Sequence, residues 1–317
     1  MEPIERVERR LKLHDLRVLM SVVDQGSMAK AAERLATSQP AVSRAIADLE
    51  YSLGVRLLDR GPRGVVPTPY GRALVRRGLA VFDELKQGVN DIEFLADPTA
   101  GEVRIGAPVA FAAGVVTSAI DRFARRHPRV VCHLLVNDVP ELYRALEERH
   151  VDLVISWIAF AQDHMQVQVL YEDPLSVVAA TKNPWSRRRA VKLADLINEP
   201  WTLPPLDSTL GAAQAGVFRQ AGLDLPRITV VALSALARIA LVAKGRFLTI
   251  TPESVLRFAG GDMAIKALPV KFQQSYRQLG IVTLKNRTLP PAARLFARDL
   301  AKPFATVKPK SAQRPQA

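Results

Sequence analysis

The sequence holds one cysteine, Cys132, so it can form no disulfide within the chain and no Cys-x-x-Cys metal or redox pair. That cysteine lies in Val130-Val131-Cys132-His133-Leu134-Leu135-Val136, which reads as a buried strand with an inert core thiol. The five histidines, His14, His127, His133, His150 and His164, show no ligand spacing. No G-x-S-x-G, P-loop, H-E-x-x-H, or G-x-G-x-x-G after a strand is present. No catalytic residue, metal site or cofactor is therefore expected, and an enzyme is the weaker reading. Long hydrophobic runs are also missing: Val230–Ala243 is too short for a bilayer and contains Arg238. The first ten residues are charged rather than apolar, unlike a signal peptide. A cytoplasmic protein with no membrane partner is expected.

What is present is a chain able to build cores, with 48% hydrophobic and 24% charged residues. Its 317 residues exceed what one core usually organises, so two or more domains are expected. The net charge of +13 permits nucleic-acid binding without locating it. Residues 1–90 carry 15 Lys+Arg against 11 Asp+Glu, and Lys302, Lys308, Lys310 and Arg314 follow the last acid. A solvated basic surface accounts for such a spread almost as well.

Residues 11–54 are helical in pattern, 55–70 form a Gly/Pro/Arg loop with β-prone pieces, and 71–96 is one long amphipathic helix. Asp97-Pro98-Thr99-Ala100-Gly101 breaks the chain as a linker would. Strand–helix alternation follows: strands at 103–106, 130–136 and 152–155, with helices to 126 and at 140–149. Further strands are expected at 201–203, 228–231, 247–250 and 278–284, with helices at 209–221, 234–243 and 291–301. Alternation of this kind indicates an open α/β sheet. The fold class is therefore α+β multidomain. The Lys/Pro/Ala/Gln segment 305–317 reads as a disordered tail.

Near the start, Leu16, Leu19, Met20 and Val23 make one apolar stripe. Gly26 breaks the helix and Ser27 can cap the next, whose face is small: Met28, Ala31, Ala32 and Leu35. Small side chains let a second helix cross closely. Thr37-Ser38 supplies another turn and cap, and Pro40 falls in a first helical turn, where its missing N–H costs nothing. In the helix that follows, Val42, Ala45, Ile46, Leu49 and Leu53 cluster in one sector. Gln39, Pro40, Ser43 and Arg44 occupy another, with donors and acceptors suited to base edges and phosphates. An amphipathic helix with a solvated polar face would look similar. Its neighbours favour DNA reading: the tight turn before it, and Arg60 to Thr68 after it, a two-stranded wing tipped by Arg60 and Arg63.

Ala31-Ala32-Glu33-Arg34-Leu35, Ser38-Gln39-Pro40-Ala41-Val42-Ser43-Arg44, Leu49-Glu50, Leu53-Gly54, Leu57-Leu58-Asp59-Arg60 and Thr68-Pro69-Tyr70-Gly71 resemble the N-terminal signature of LysR-type transcriptional regulators. Leu58 departs from it, standing where the family commonly has Phe, and should only repack the wing base. The resemblance implies a winged helix-turn-helix over 1–70 that binds double-stranded operator DNA. Ser38, Gln39, Pro40, Ser43 and Arg44 would serve the major groove. Arg60 and Arg63 would meet the backbone or minor groove.

In the helix of 71–97, Val75, Phe82 and Val89 recur every seven residues, with Leu85 and Ile92 in the second heptad position. The same stripe could pack on the chain's own domain. The resemblance implies that it pairs two copies into a homodimer, with a tetramer beyond that. RNA polymerase is a further candidate partner for a regulator of this kind.

Residues 101–304 resemble the family's effector-binding domain, itself similar to periplasmic binding proteins. The expected halves are subdomain I, 101–173 plus 279–304, and subdomain II, 174–278. Ligands in such sheets bind where strand ends meet helix starts. The candidates are Val109, Ala110, Phe111, Asp138, Trp157, Pro204, Ser208, Thr209 and Thr251. Trp157 suits either a cleft mouth or plain packing, and Ser208 and Thr209 also suit a helix cap. The family often has a hydroxyl after the first strand to hold an anion, and this chain has Ala107-Pro108-Val109-Ala110-Phe111. An effector with a substantial ring or alkyl body is expected, rather than a small, highly charged metabolite. A purely architectural DNA-binding protein would not need so large an α/β half.

Overall fold

The computed structural model describes residues 11–61, 64–258, 264–271 and 277–304. Arg63 and the segment 305–317 lie outside the described residues. The chain divides into two compact units, Met1–Gly88 and Val89–Ala317.

In the first unit, helices α1 (Leu13–Gln25), α2 (Met28–Arg34) and α3 (Gln39–Leu53) precede strands β1 (Leu58–Gly61) and β2 (Gly64–Pro67) and the greater part of helix α4 (Pro69–Ala96), whose last residues belong to the second unit. Gly26 and Gly54 end α1 and α3 in the left-handed region, at φ 60° and 67°, where a Cβ is costly. Ser27 and Ser38 cap the next helices, accepting from the Lys30 and Ala41 amides. One core joins Val18, Leu19 and Val22 of α1 to Ala31 and Ala32 of α2 and to Val42, Ile46 and Leu49 of α3. Leu58 is buried in the same core, as its expected place at the wing base requires.

The signature residues outside α3 are tied to the backbone. Glu50 Oε1 accepts from the amides of Leu57 and Leu58 at 2.6 and 3.2 Å, fixing the start of β1. The Thr68 hydroxyl donates to the Arg56 carbonyl at 2.8 Å and accepts from the Gly71 amide at 3.1 Å, capping α4. Gly71 has a separate reason: a Cβ there would stand 2.1 Å from the Leu57 carbonyl oxygen.

The second unit contains a five-stranded sheet ordered β4-β3-β5-β12-β6. Its strands are β3 (Ala100–Ala107), β4 (Arg129–Val136), β5 (Leu153–Trp157), β6 (Met165–Asp173) and β12 (Arg277–Leu284). β3 runs parallel to β4 and β5, while β12 is antiparallel to β5 and β6. Strands β7 (Leu175–Ala180), β8 (Trp201–Leu203), β9 (Ile228–Val231), β10 (Thr249–Pro252) and β11 (Ile265–Ala267) form two smaller ladders, β10-β7-β11 and β8-β9. A Trp201–Leu248 bridge links them. After β3 come α5 (Val109–Phe111), a wide π-turn (Ala112–Val116) and α6 (Thr117–Arg126). Helix α7 (Val139–Glu147) follows β4, α8 (Thr209–Gln220) follows β8, α9 (Ala235–Ala243) follows β9, α10 (Glu253–Phe258) follows β10 and α11 (Pro291–Ala301) follows β12.

Three expectations need correction. β4 is not a buried strand: it lies on the rim of its sheet, with Val131 56% exposed and Cys132 half-buried. The strand expected at 247–250 is shifted to 249–252, and β6, β7 and β11 were not expected at all. Arg238, read as a polar interruption of an apolar run, is buried in α9.

Candidate functional site

Three surfaces carry the predicted site residues. On α3, the apolar stripe is buried and the opposite side is open. Ser38, Gln39, Pro40 and Arg44 are exposed and Ser43 is half-buried. Pro40 sits in the first turn of α3, so it removes an amide that has no helical partner. Arg60 is exposed on β1. Gly26 and the wing are held together by the Val65 amide, which donates to the Gly26 carbonyl at 2.9 Å. The helix and the wing are thus parts of one framework.

On α4, Leu85, Val89 and Ile92 are exposed, as are Val81 and Leu95. Val75 instead packs partly against the core of the first unit, and the Arg17 guanidinium lies 5.0 Å above the ring of Phe82. The predicted seam therefore divides: two of its five residues have partners within the chain.

In the second unit, a cavity of about 130 Å³ opens where β3, β4 and β5 end. Pro108, Val109, Ala110 and Phe111 form one wall, Val136 to Val139 another, and Trp157 a third. Thr209, Leu210 and Leu233 close the far side. Trp157 is buried and meets Phe111 edge-to-face at 5.5 Å, so it both packs and lines the cavity. Tyr143 steadies this strand end from α7: its hydroxyl lies 3.0 Å from Ser156 Oγ and 3.3 Å from the Trp157 carbonyl. Burial pushes the Tyr143 pKa up, keeping it a neutral phenol.

Asp138 bridges the cavity. Its Oδ2 accepts from the Thr209 amide at 3.2 Å and from the Thr209 hydroxyl at 3.4 Å. Ser208 caps the same helix, accepting from the Gly211 amide at 3.1 Å. Of the nine expected effector-site residues, Val109, Ala110, Phe111, Asp138, Trp157 and Thr209 line the cavity. Pro204, Ser208 and Thr251 lie outside the lining. The sequence reading missed Val136, Val139, Leu210 and Leu233, apolar residues just at or past element ends. A larger groove of about 450 Å³ lies at the opposite ends of the strands, around Ala100, Gly101 and Pro290. The smaller cavity is favoured because ligands of such sheets meet the carboxyl ends of the strands.

Near Leu233, the buried guanidinium of Arg238 donates to the carbonyls of Ala232 and Leu233 at 2.6 and 2.8 Å. Desolvation pulls its pKa down to about 10, so it remains a cation at neutral pH. Among the described residues no group of three or more His, Cys, Asp or Glu could hold a metal, and no helix is long and apolar enough to cross a membrane.

Residues 13–72 match the bacterial regulatory helix-turn-helix protein, lysR family, and residues 96–304 match the LysR substrate binding domain. The chain belongs to the LysR family of transcriptional regulators. This LysR-type regulator is 30% identical over 310 residues to the SDS degradation transcriptional activation protein of a Pseudomonas species, covering 95% of this chain and 99% of the relative. It is 28% identical over 316 residues to the HTH-type transcriptional regulator GbpR of Azospirillum brasilense, covering 98% and 92%. The solved structure of full-length CbnR complexed with its target DNA shares the fold, with a TM-score of 0.62 at 22% identity, covering 92% of this chain and 99% of that one. The regulator thus has a DNA-binding helix-turn-helix and an effector-binding domain, and its relatives are regulators rather than enzymes.

Proposed function

We propose that Ser38, Gln39, Pro40, Ser43 and Arg44 of α3 read the operator in the major groove, with Arg60 and Arg63 on the flanking backbone or minor groove. The single observation that carries this is the open polar side of α3, turned away from a fully apolar buried stripe. The solved CbnR complex, which holds target DNA, supports the same reading. We place the reader at 1–70, the linker at 71–97, and the effector domain at 101–304. Its halves are 101–173 plus 279–304, and 174–278. Two copies join through the exposed Leu85, Val89 and Ile92, since one recognition helix alone buries too little surface for tight specific binding. Val75 and Phe82 stand at the margin of that seam. The effector occupies the cavity of Phe111, Asp138 and Trp157, and the regulator works in the cytoplasm, with RNA polymerase as a further partner.

Arg44→Ala tests the reader. Operator affinity at fixed salt should fall by about 1–3 kcal/mol, because a bidentate base contact is lost. The melting temperature should hold, because Arg44 is exposed. Unchanged affinity, or a collapse of folding, overturns the assignment.

A further inference from the structure

The walls of the effector cavity carry little charge, and what they carry is negative. Among the described residues that line it, Asp138 is the one ionisable residue. Two of the seats that would hold an anion at the start of α8 are already taken by the chain. The first amide of α8, Thr209, is given to Asp138, and the Gly211 amide is given to Ser208 Oγ. Pro108 contributes no N–H at the start of α5. Asp138 uses Oδ2 for both of its Thr209 contacts, while Oδ1 takes no hydrogen bond from any described residue. A carboxylate can accept several more.

We propose that the effector carries a protonated amine or another cationic nitrogen that pairs with Asp138, while its ring or alkyl body lies on Phe111 and Trp157. This rests on reading the cavity as the effector's seat. A cation there meets a half-buried carboxylate in apolar surroundings, where water screens the attraction weakly. A carboxylic acid would meet a like charge in the same place. The size of the cavity, about 130 Å³, suits a body near that of one benzene ring. The competing counter-ion is Arg238, whose head is held by the Ala232 and Leu233 carbonyls and does not line the cavity.

Calorimetry on the full-length protein with benzylamine, benzyl alcohol and benzoate tests this. Benzylamine should bind at least about tenfold tighter than benzoate, with benzyl alcohol between them. Asp138→Asn keeps an oxygen for Thr209 and should shrink the gap to about threefold or less, leaving benzyl alcohol nearly unchanged. Thr209→Val removes only the hydroxyl contact and should preserve the order, which separates lost charge from lost structure. Benzoate binding as well as benzylamine, or losing its affinity on Arg238→Met, overturns the proposal while leaving the cavity as the seat. Probe binding that Trp157→Ala does not weaken instead removes the cavity from the reading. No heat with any of the three means that a one-ring body is not what the cavity holds, and the proposal falls.

Discussion

In residues 11–72 the surface offered to a partner is set by backbone. Glu50, Thr68 and Gly71 bind or approach main-chain atoms of residues 56–58, and Gly26 accepts from the wing. In the cavity at the ends of β3, β4 and β5, side chains of ordinary apolar type do most of the lining, and Asp138 is the one charged group among the described residues there. A DNA groove is nearly the same shape at every operator, so a rigid frame with a few exposed tips suffices. A small effector has its own shape, and the pocket that fits it can change by altering side chains while the strands stay put. Substitutions should therefore be dear where backbone meets backbone and tolerable where side chains form a wall.

The largest expected effect follows from Gly71. Gly71→Ala places a methyl against the Leu57 carbonyl and should destabilise the first unit by about 3 kcal/mol. Thermal unfolding followed together with operator binding would show it, while effector binding should persist. A silent Gly71→Ala would mean that the backbone contacts of the first unit give way as easily as a side-chain wall. The next effect is on assembly. Leu85→Lys with Ile92→Glu should leave a folded monomer by light scattering, with operator affinity reduced about tenfold or more. Leaving Phe82 untouched keeps the Arg17 contact, so a monomer cannot be blamed on a damaged reader. If the double variant stays dimeric, the exposed stripe of α4 is not the seam. The smallest effect should come from Arg238→Met. A buried cation without a carboxylate partner among the described residues costs desolvation, and a flexible apolar chain fills similar space. Stability measured by denaturant should change by within about 1 kcal/mol. A loss several times larger would mean that the Ala232 and Leu233 carbonyls depend on this side chain.

The same contrast explains what could be read from the sequence. The helices, both serine caps and the wing were legible because their signals are local: a period, a cap, a glycine. The strands β3 and β5 and the helix α11 were legible for the same reason. β4 looked buried because six of its seven residues from 130 to 136 are apolar, and only the strand order, a long-range property, puts it on the rim. β6 was missed although Met165, Val167 and Val169 alternate with Gln166 and Gln168, a pattern that Leu170 then interrupts. In the cavity, the strand-end rule led to Phe111, Asp138 and Trp157. Leu210, one residue past the expected Thr209 in α8, and Leu233, between β9 and α9, carry only an apolar side chain, which does not mark them as lining residues. The division of the α4 stripe was also hidden, because a heptad repeat does not say whose side chains it meets.

The π-turn at Ala112–Val116 makes the aromatic wall a matter of counting. A wide turn holds one residue more than the α-helical path needs, and the surplus fixes how far Phe111 is rotated relative to α6. Removing one residue there would let the helix close regularly, turning everything on its N-terminal side by about 100°. Phe111 would then leave Trp157, with no change in the chemical character of the segment. Length, as much as side-chain type, therefore sets the bore of this pocket, and a single deletion could retune it where a substitution would only reshape its lining.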